Sequence, residues 1–493
     1  MKKVCVTPCI LLAFIIITVF SCKEHPTSPG YNVLEFGAIG DGITLNTGAI
    51  QEAIDKCHEA GGGQVIIPSG TFLSGTITLK DNVKIHFENG ATLLASENHD
   101  DFPRQIQPEY RSQKDIGGWY ALIYAHKVKN IAITGHGIVD GQGAKQKPRP
   151  YEAGGDKDGR PRNILFISCS EVVVKDIYLK NSGIWNQHYL NCEDVLVDGI
   201  KVWNHGNRNN DGIDIDGCRR FVLANSIFDS DDDAICLKST GTSPCEDVVI
   251  TNCIASSYCN GIKMGTESTG GFKNININNC IVKPTRCETP PTGNKFGIGI
   301  TGLSLEIVDG GTMEGVTVSN LTINGTMCPI YIRLGGRSRK HIAEAPEPQI
   351  GTLRNVTISN ITAYNSGNWA CSITGIPDHK VENIRLDNIN IIQKGGLKKG
   401  DYLATLNDVK EDIKGYPQPT VWKKLPCSGM FIRHAKDISV TNFSLNTLEP
   451  DPRPVFLADD VEGLRINTVN VGANCNQKEL LVKNNVSNSK IKF

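Results

Sequence analysis

Short runs of alternating apolar and polar residues recur along the chain. Asp194-Val195-Leu196-Val197-Asp198-Gly199-Ile200, Asp247-Val248-Val249-Ile250-Thr251-Asn252-Cys253-Ile254 and Asn274-Ile275-Asn276-Ile277-Asn278-Asn279-Cys280-Ile281 are three of them. Alternating Val and Ile with period two predicts strands. A polar residue late in each run falls at Asp176, Asp198, Asn225, Asn252 and Asn279, and the last three of these steps are equal. The pattern resumes at Asn320, Asn360 and Asn388, with two longer steps and then one close to the earlier period. Repeats of roughly 20–50 residues mark a solenoid. Strands this short at coil-length spacing predict an all-β parallel β-helix, each coil stacked on the last. Asn suits its turns, because it tolerates left-handed backbone and its amide can form ladders along the stack. A β-sandwich would instead show turns every ~8–12 residues.

One segment departs from this period. Thr47 to Glu59 places Ala49, Ile50, Ala53, Ile54 and Cys57 on one helical face, and Gly61-Gly62-Gly63 stops it. An open solenoid end needs a cover, so this is the expected N-terminal capping helix. Insertions at about 93–120, 284–312 and 395–430 are expected to form walls beside the coils. Nothing inside 31–493 suggests a second domain.

Residues 1–21 read as a signal peptide: Lys2 and Lys3, an apolar run from Ile10 to Phe20, then Ser21 and Cys22. The run is short for a membrane span. Val19-Phe20-Ser21-Cys22 resembles a bacterial lipoprotein signal, which would put lipid on the Cys22 sulfur. Residues 22–30 then form a polar tether, and the lipid is the expected membrane contact. An ordinary secretory signal is the alternative.

Composition narrows the picture. The net charge is -1, and losing Lys2 and Lys3 with the leader makes it -3. Nucleic acid is therefore not the expected partner, because phosphate binding needs a basic excess. Fourteen of the 17 cysteines lie beyond Cys22, with no metal-ligand spacing among them. Small buried hydrophobes are their simplest reading.

Carboxylates crowd residues 209–233. The stretch opens Asn209-Asn210-Asp211 and closes Asp231-Asp232-Asp233. Asp211 and Asp232 are separated by close to one coil. Adjacent strands lie about 4.8 Å apart, so Asp211 should lie beside Asp232 and Asp233 on one outer face. Like charges that close push at least one pKa upward. A proton-sharing carboxylate group suits glycoside hydrolysis, which needs an acid for the leaving oxygen and a base for water. A calcium site and a solvated acidic turn are the alternatives. Hydrolysis itself calls for no cofactor and no metal.

The chain resembles glycoside hydrolase family 28, the polygalacturonase group, over about residues 31–460. The resemblance is carried by Phe36-Gly37-Ala38-Ile39-Gly40-Asp41-Gly42, Asp140-Gly141-Gln142-Gly143, Asn181-Ser182-Gly183-Ile184-Trp185-Asn186-Gln187-His188, and Tyr416-Pro417 through Arg433-His434. The family's Asn-Thr-Asp motif matches Asn209-Asn210-Asp211, and its Gly-Asp-Asp motif matches Asp231-Asp232-Asp233. It implies a right-handed parallel β-helix and inverting hydrolysis of a pectic glycan. Asp232 would be the acid, with Asp211 and Asp233 activating water. Two departures stand out. Cys259-Asn260-Gly261 replaces the family's Gly-His-Gly, and no Arg-Ile-Lys occurs near Phe296 to Leu305. Loss of the basic motif loosens the substrate toward rhamnogalacturonan or another branched pectic glycan.

Further sugar-reading candidates are His188, Asn209, Asn260, Lys263, Glu267, Glu306, Asp309 and Arg333, the last with Arg337 and Arg339. The run Gly265-Thr266-Glu267-Ser268-Thr269-Gly270-Gly271 looks like the exo-acting members of the family. A calcium-dependent lyase and a non-catalytic glycan-binding solenoid are the competing functions. A single chain acting alone is the expected assembly.

Overall fold

The computed structural model describes residue 1 and residues 30–105, 109–114, 119–146, 159–291 and 296–493. The leader, Cys22 and nearly all of the tether lie outside the described residues. The described strands join in parallel ladders, coil upon coil, from Gly30–Asn32 to Lys490–Lys492. This is the expected parallel β-helix.

Its core is built from stacked inward positions. Val195, Phe221, Val248, Ile275, Val316, Val356, Ile384, Ile438 and Leu464 occupy one register column, all buried. Burying one such side chain is worth about 1.5–3 kcal/mol, so each coil stabilises the next. The unequal sequence periods follow from this column. Where a loop leaves the stack the period lengthens, yet the inward residue returns to its place.

The turns follow the asparagine reading. Asp176, Asn225, Asn252, Asn279, Asn320, Asn360 and Asn388 all have φ between 54° and 62°. Asp198 differs, because the following Gly199 takes the left-handed position at φ 68°. The amides form a ladder: Asn225 donates to Asp198 (2.8 Å), Asn252 to Asn225 (3.1 Å), Asn320 to Asn279 (3.1 Å), Asn360 to Asn320 (3.0 Å) and Asn388 to Asn360 (2.9 Å).

The one α-helix among the described residues is Thr47–Glu59, which buries Ile50, Ala53, Ile54 and Cys57 against the first coils. Gly62 N–H closes it on the Cys57 carbonyl at 2.9 Å. The insertion expected at 284–312 is only partly one, because Gly299–Ile307 is a coil strand. Sequence alone missed that strand because glycine interrupts its alternation. All fourteen described cysteines are free thiols, and twelve are buried.

Candidate active site

Four strands stack to build the site: Gln187–Leu190, Ile213–Asp216, Ile235–Ser239 and Asn260–Ser268. Ile213, Ile235 and Ile262 point inward in one column. The alternate positions carry Asp214, Cys236 and Lys263 in register, and beside them Asp216 and Lys238. Every residue of these strands is buried. Ionisable side chains on a covered outer face are the mark of this region.

The turn before each strand carries the acids. Asp211, Asp233 and Asn260 each stand two residues ahead of the inward isoleucine. The Gly212 N–H donates to the Asp233 carbonyl (2.9 Å), and the Ala234 N–H to the Asn260 carbonyl (2.9 Å). The register pairs Ile213 with Ile235, which sets Asp211 opposite Asp233 and leaves Asp232 one place outward. Carboxylate oxygens of Asp211 and Asp233 approach within 4.8 Å, and so do those of Asp232 and Asp233.

Two lysines balance these charges. Lys263 Nζ donates to Asp233 Oδ2 at 3.0 Å and to the Tyr416 hydroxyl at 3.2 Å. Lys238 Nζ lies 3.4 Å from Asp214, 3.6 Å from Asp211 and 3.7 Å from Glu267, and 4.6 Å from the Trp185 ring centroid. Asn260 Nδ2 donates to Asp233 Oδ1 at 2.6 Å, while Asn260 Oδ1 accepts from Thr301 at 2.6 Å. The amide thus fills the place where the family carries histidine. Asn209 Nδ2 donates to Asp232 Oδ2 at 3.4 Å.

These contacts separate the three acids. Burial would raise Asp233, but Lys263, Lys238 and the Asn260 amide overcome it and hold Asp233 below the usual carboxylate range. Burial, then the neighbouring Asp233, pushes Asp232 up. Burial with Asp214 and Asp232 pushes Asp211 well up. Carboxyls driven apart in this way are poised as an acid and a base.

The pocket above them holds about 200 Å³. Asn209, Asp211, Asp232, Asp233, Lys263 and Glu267 line it as the sequence suggests. Asn260 stands behind Asp233 and acts on the pocket through it. Four other candidates do not line this pocket, and the structure places them elsewhere. His188 is fully buried, shares a hydrogen bond with Asp216 at 2.9 Å, and props Trp185 edge-on at 5.0 Å. Burial pushes it down to about 4, so it is a neutral support. Glu306 is buried against Ser304 (2.6 Å), with one oxygen unpartnered. Asp309 is buried in ion pairs with Arg337 and Arg339. Arg333 spends its guanidinium on the carbonyls of Gly375, Glu411 and Asp412 at 2.8–3.2 Å, over Trp422.

Arg337 and Arg339 reach the pocket instead, with Lys114, Lys238, Thr266, Trp185 and Tyr416. Lys238 could have been found from strand parity, because it follows Asp233 by five residues on the outer face. Lys114 arrives from the 93–120 excursion and Tyr416 from the 395–430 one, where no period places a side chain.

The buried acids also set a pH window for stability. Burial holds Asp214 and Glu306 each up at about 7, against about 3.9 and 4.3 unfolded. A raised folded pKa stabilises fully below the unfolded value, and that contribution is lost as pH rises through the folded one. Asp233 and Glu267 are depressed, so their contribution is lost on acidification. Melting temperature should therefore peak in mild acid and fall by about pH 8. Thermal melts across that range check it, and a flat profile would be inconsistent.

Two carboxyls with pKa values pushed apart, set beside lysines on the outer face of a parallel β-helix, form an acid–base arrangement of the kind glycoside hydrolysis uses. The chain matches the model of Glycosyl hydrolases family 28 over residues 57–411, and it belongs to that family, the polygalacturonase family. It is 27% identical over 450 residues to a probable polygalacturonase of Vitis vinifera, covering 87% of this chain and 86% of that one. It is 25% identical over 402 residues to an exopolygalacturonase of Zea mays, covering 79% and 90%. A hyperthermoactive exopolygalacturonase from Thermotoga maritima shares the fold with a TM-score of 0.61 at 24% identity, covering 74% of this chain and 87% of that one. The protein is a polygalacturonase-family hydrolase, and that family points to pectin.

Proposed function

We propose that the protein removes uronate-bearing units from the ends of pectic chains by inverting hydrolysis. Asp232, held up and facing the pocket, protonates the leaving oxygen. Asp233, held ionised by Lys263 and Asn260, takes the proton from water, and Asp211, pushed toward its neutral form, helps orient that water. The observation that carries this reading is the unequal pairing of two adjacent acids: Asp233 accepts from Lys263 Nζ (3.0 Å) and Asn260 Nδ2 (2.6 Å), whereas Asp232 accepts from Asn209 Nδ2 at 3.4 Å.

The pocket's charge argues for an acidic sugar. Five cations line it (Lys114, Lys238, Lys263, Arg337 and Arg339), against Asp211, Asp232, Asp233 and Glu267. Asp211 and Asp232 are pushed toward their neutral forms. Among the lining groups cations thus outnumber charged acids, although Asp309 beneath Arg337 offsets one of them and the Arg-Ile-Lys motif is missing. Arg339 donates to Glu267 at 3.0 Å and keeps nearly half of its side chain exposed, so it can meet a carboxylate. Ligand pockets usually hold about 300–1,000 Å³, so this smaller one suits a chain end. The lyase alternative needs an oxygen cage for a hard cation. Here lysine ammonium groups stand beside Asp233 and Asp211, and each acid pair has a cysteine as its third neighbour.

Product analysis on galacturonan and rhamnogalacturonan fragments tests this. Saturated single uronate units, released equally with and without chelator, are expected. Unsaturated products, or neutral sugars alone, would sink it. The same reading puts the enzyme in the bacterial cell envelope through lipid on Cys22, supported by the leader's basic start, apolar run and Ser21-Cys22 ending. Fatty-acid labelling of the full-length chain should vanish in Cys22→Ser; retained label would refute the anchor.

A further inference from the structure

A second concave surface lies on a different sheet of the coil. Its strands are Tyr178–Lys180, Lys201–Asn204, Ile227–Ser230, Ile254–Ser257 and the end of Gly271–Lys283. Their outward residues form two columns. One runs Tyr178, Lys201, Ile227, Ile254 and Ile281; the other runs Lys180, Trp203, Asp229, Ser256 and Lys283. All of these but Lys180 and Ile281 line, with Arg286, a groove of about 390 Å³.

The groove's chemistry is unlike an ordinary solvated sheet face. Ile227, 40% exposed, lines it with Ile254, Trp203 and Tyr178, and Ile281, 41% exposed, lies on the strand beyond Ile254. Lys201 and Lys283 have no carboxylate partner among the described residues. Asp229 is buried and accepts from His205 Nε2 (3.0 Å), the Thr285 hydroxyl and Arg286 Nε (3.0 Å). That leaves both terminal nitrogens of Arg286 without a described partner, in a guanidinium 5.6 Å from the Trp203 ring centroid. Arg286 is thereby fixed at its stem and free at its fork. A planar fork is the natural partner of a carboxylate, and an indole beside aliphatic groups suits the C–H face of a pyranose.

We propose that this groove is a second, non-catalytic glycan site that takes a uronate-bearing segment. The sugar ring lies against Trp203 and Ile227, and its carboxylates meet Arg286, Lys201 and Lys283. Arg286 is offset by Asp229, but Lys201 and Lys283 face the groove with no carboxylate partner among the described residues, and a uronate would supply one where a neutral or cationic occupant would not. Ile227–Ser230 runs directly into Asp231, so the groove borders the turn that carries Asp232. A chain held there is kept beside the pocket without entering it. The choice of an acidic glycan rests in part on the function proposed above, so the test is made without turnover.

The test titrates a short galacturonate oligomer into the full-length Asp232→Asn protein by calorimetry, with and without Arg286→Ala or Lys283→Glu. Either exchange should abolish one class of site or weaken it at least tenfold, with the melting temperature unchanged in Lys283→Glu, whose native side chain has no carboxylate partner among the described residues. Lys283 pairs with no described carboxylate, so loss of fold does not mimic the result there; Arg286→Ala also takes a donor from buried Asp229, so its binding is read beside its own thermal melt. Identical titrations with and without the groove substitutions would overturn the proposal. Equal binding of a neutral glucan oligomer that the same substitutions abolish would overturn the acidic assignment. Failure of the catalytic reading shows separately, as no hydrolysis of the oligomer by the native enzyme.

Discussion

Asp232→Asn is expected to lower kcat on pectic fragments by about 10²–10⁴-fold, the usual contribution of a positioned general acid or base. Asn keeps the shape and can still accept the Asp233 N–H that Oδ1 accepts at 3.0 Å. It cannot supply a carboxylic proton to the leaving oxygen. The exchange also fixes a neutral group beside Asp233, as the protonated acid is, so Asp233 should stay ionised. Substrate affinity and melting temperature should therefore hold or rise while turnover collapses. Steady-state kinetics with thermal melts check this. A rate within tenfold of the native enzyme would remove Asp232 from the acid role.

Much of this arrangement was legible in the chain, and the reason is the coil. A repeating inward column fixes where each strand starts, so Asp211 and Asp233 had to meet. The column also shows why the step from Asp211 to Asp232 was the wrong ruler. Register runs from Ile213 to Ile235, one position longer, and pairs Asp211 with Asp233. The asparagine ladder was legible for the same reason, since one residue per coil must take the left-handed turn.

What the period could not reach is side-chain direction at loop ends and within doubly buried strands. Arg333 and Arg337 are close in sequence, and nothing local says which faces the pocket. Arg333 belongs to the strand Thr326–Leu334, paired between Glu306 and Thr374, and the 395–430 excursion covers it. Arg337 lies past the strand end and turns back onto Asp309 and Thr266. His188 misled for a related reason. Gln187–Leu190 is buried on both faces, so an outward position is not an accessible one.

Lys263→Met is expected to be the other severe lesion, and its signature is in pH. Lys263 and Asp233 are both buried and meet at 3.0 Å. Removing one partner of a buried pair typically costs about 3–5 kcal/mol, unless the remaining charge is discharged by a proton. Of the groups that hold Asp233 down, Lys238 and the Asn260 amide would remain, and burial would gain ground. The Asp233 pKa should rise, and the acidic limb of the pH–rate profile should move upward with it. The stability profile should change sign at this residue. In the native protein the depressed Asp233 stabilises above its unfolded pKa, and that contribution is lost as pH falls through the folded value. With its pKa raised, the variant should lose stability as pH rises past about 4 instead. Glu306, which Lys263 also steadies, should titrate higher in the same direction. Kinetics and melts of Lys263→Met across pH resolve the point. An unmoved acidic limb would mean that Lys263 does not govern the base, and that Asp233 owes its charge to Lys238 and Asn260.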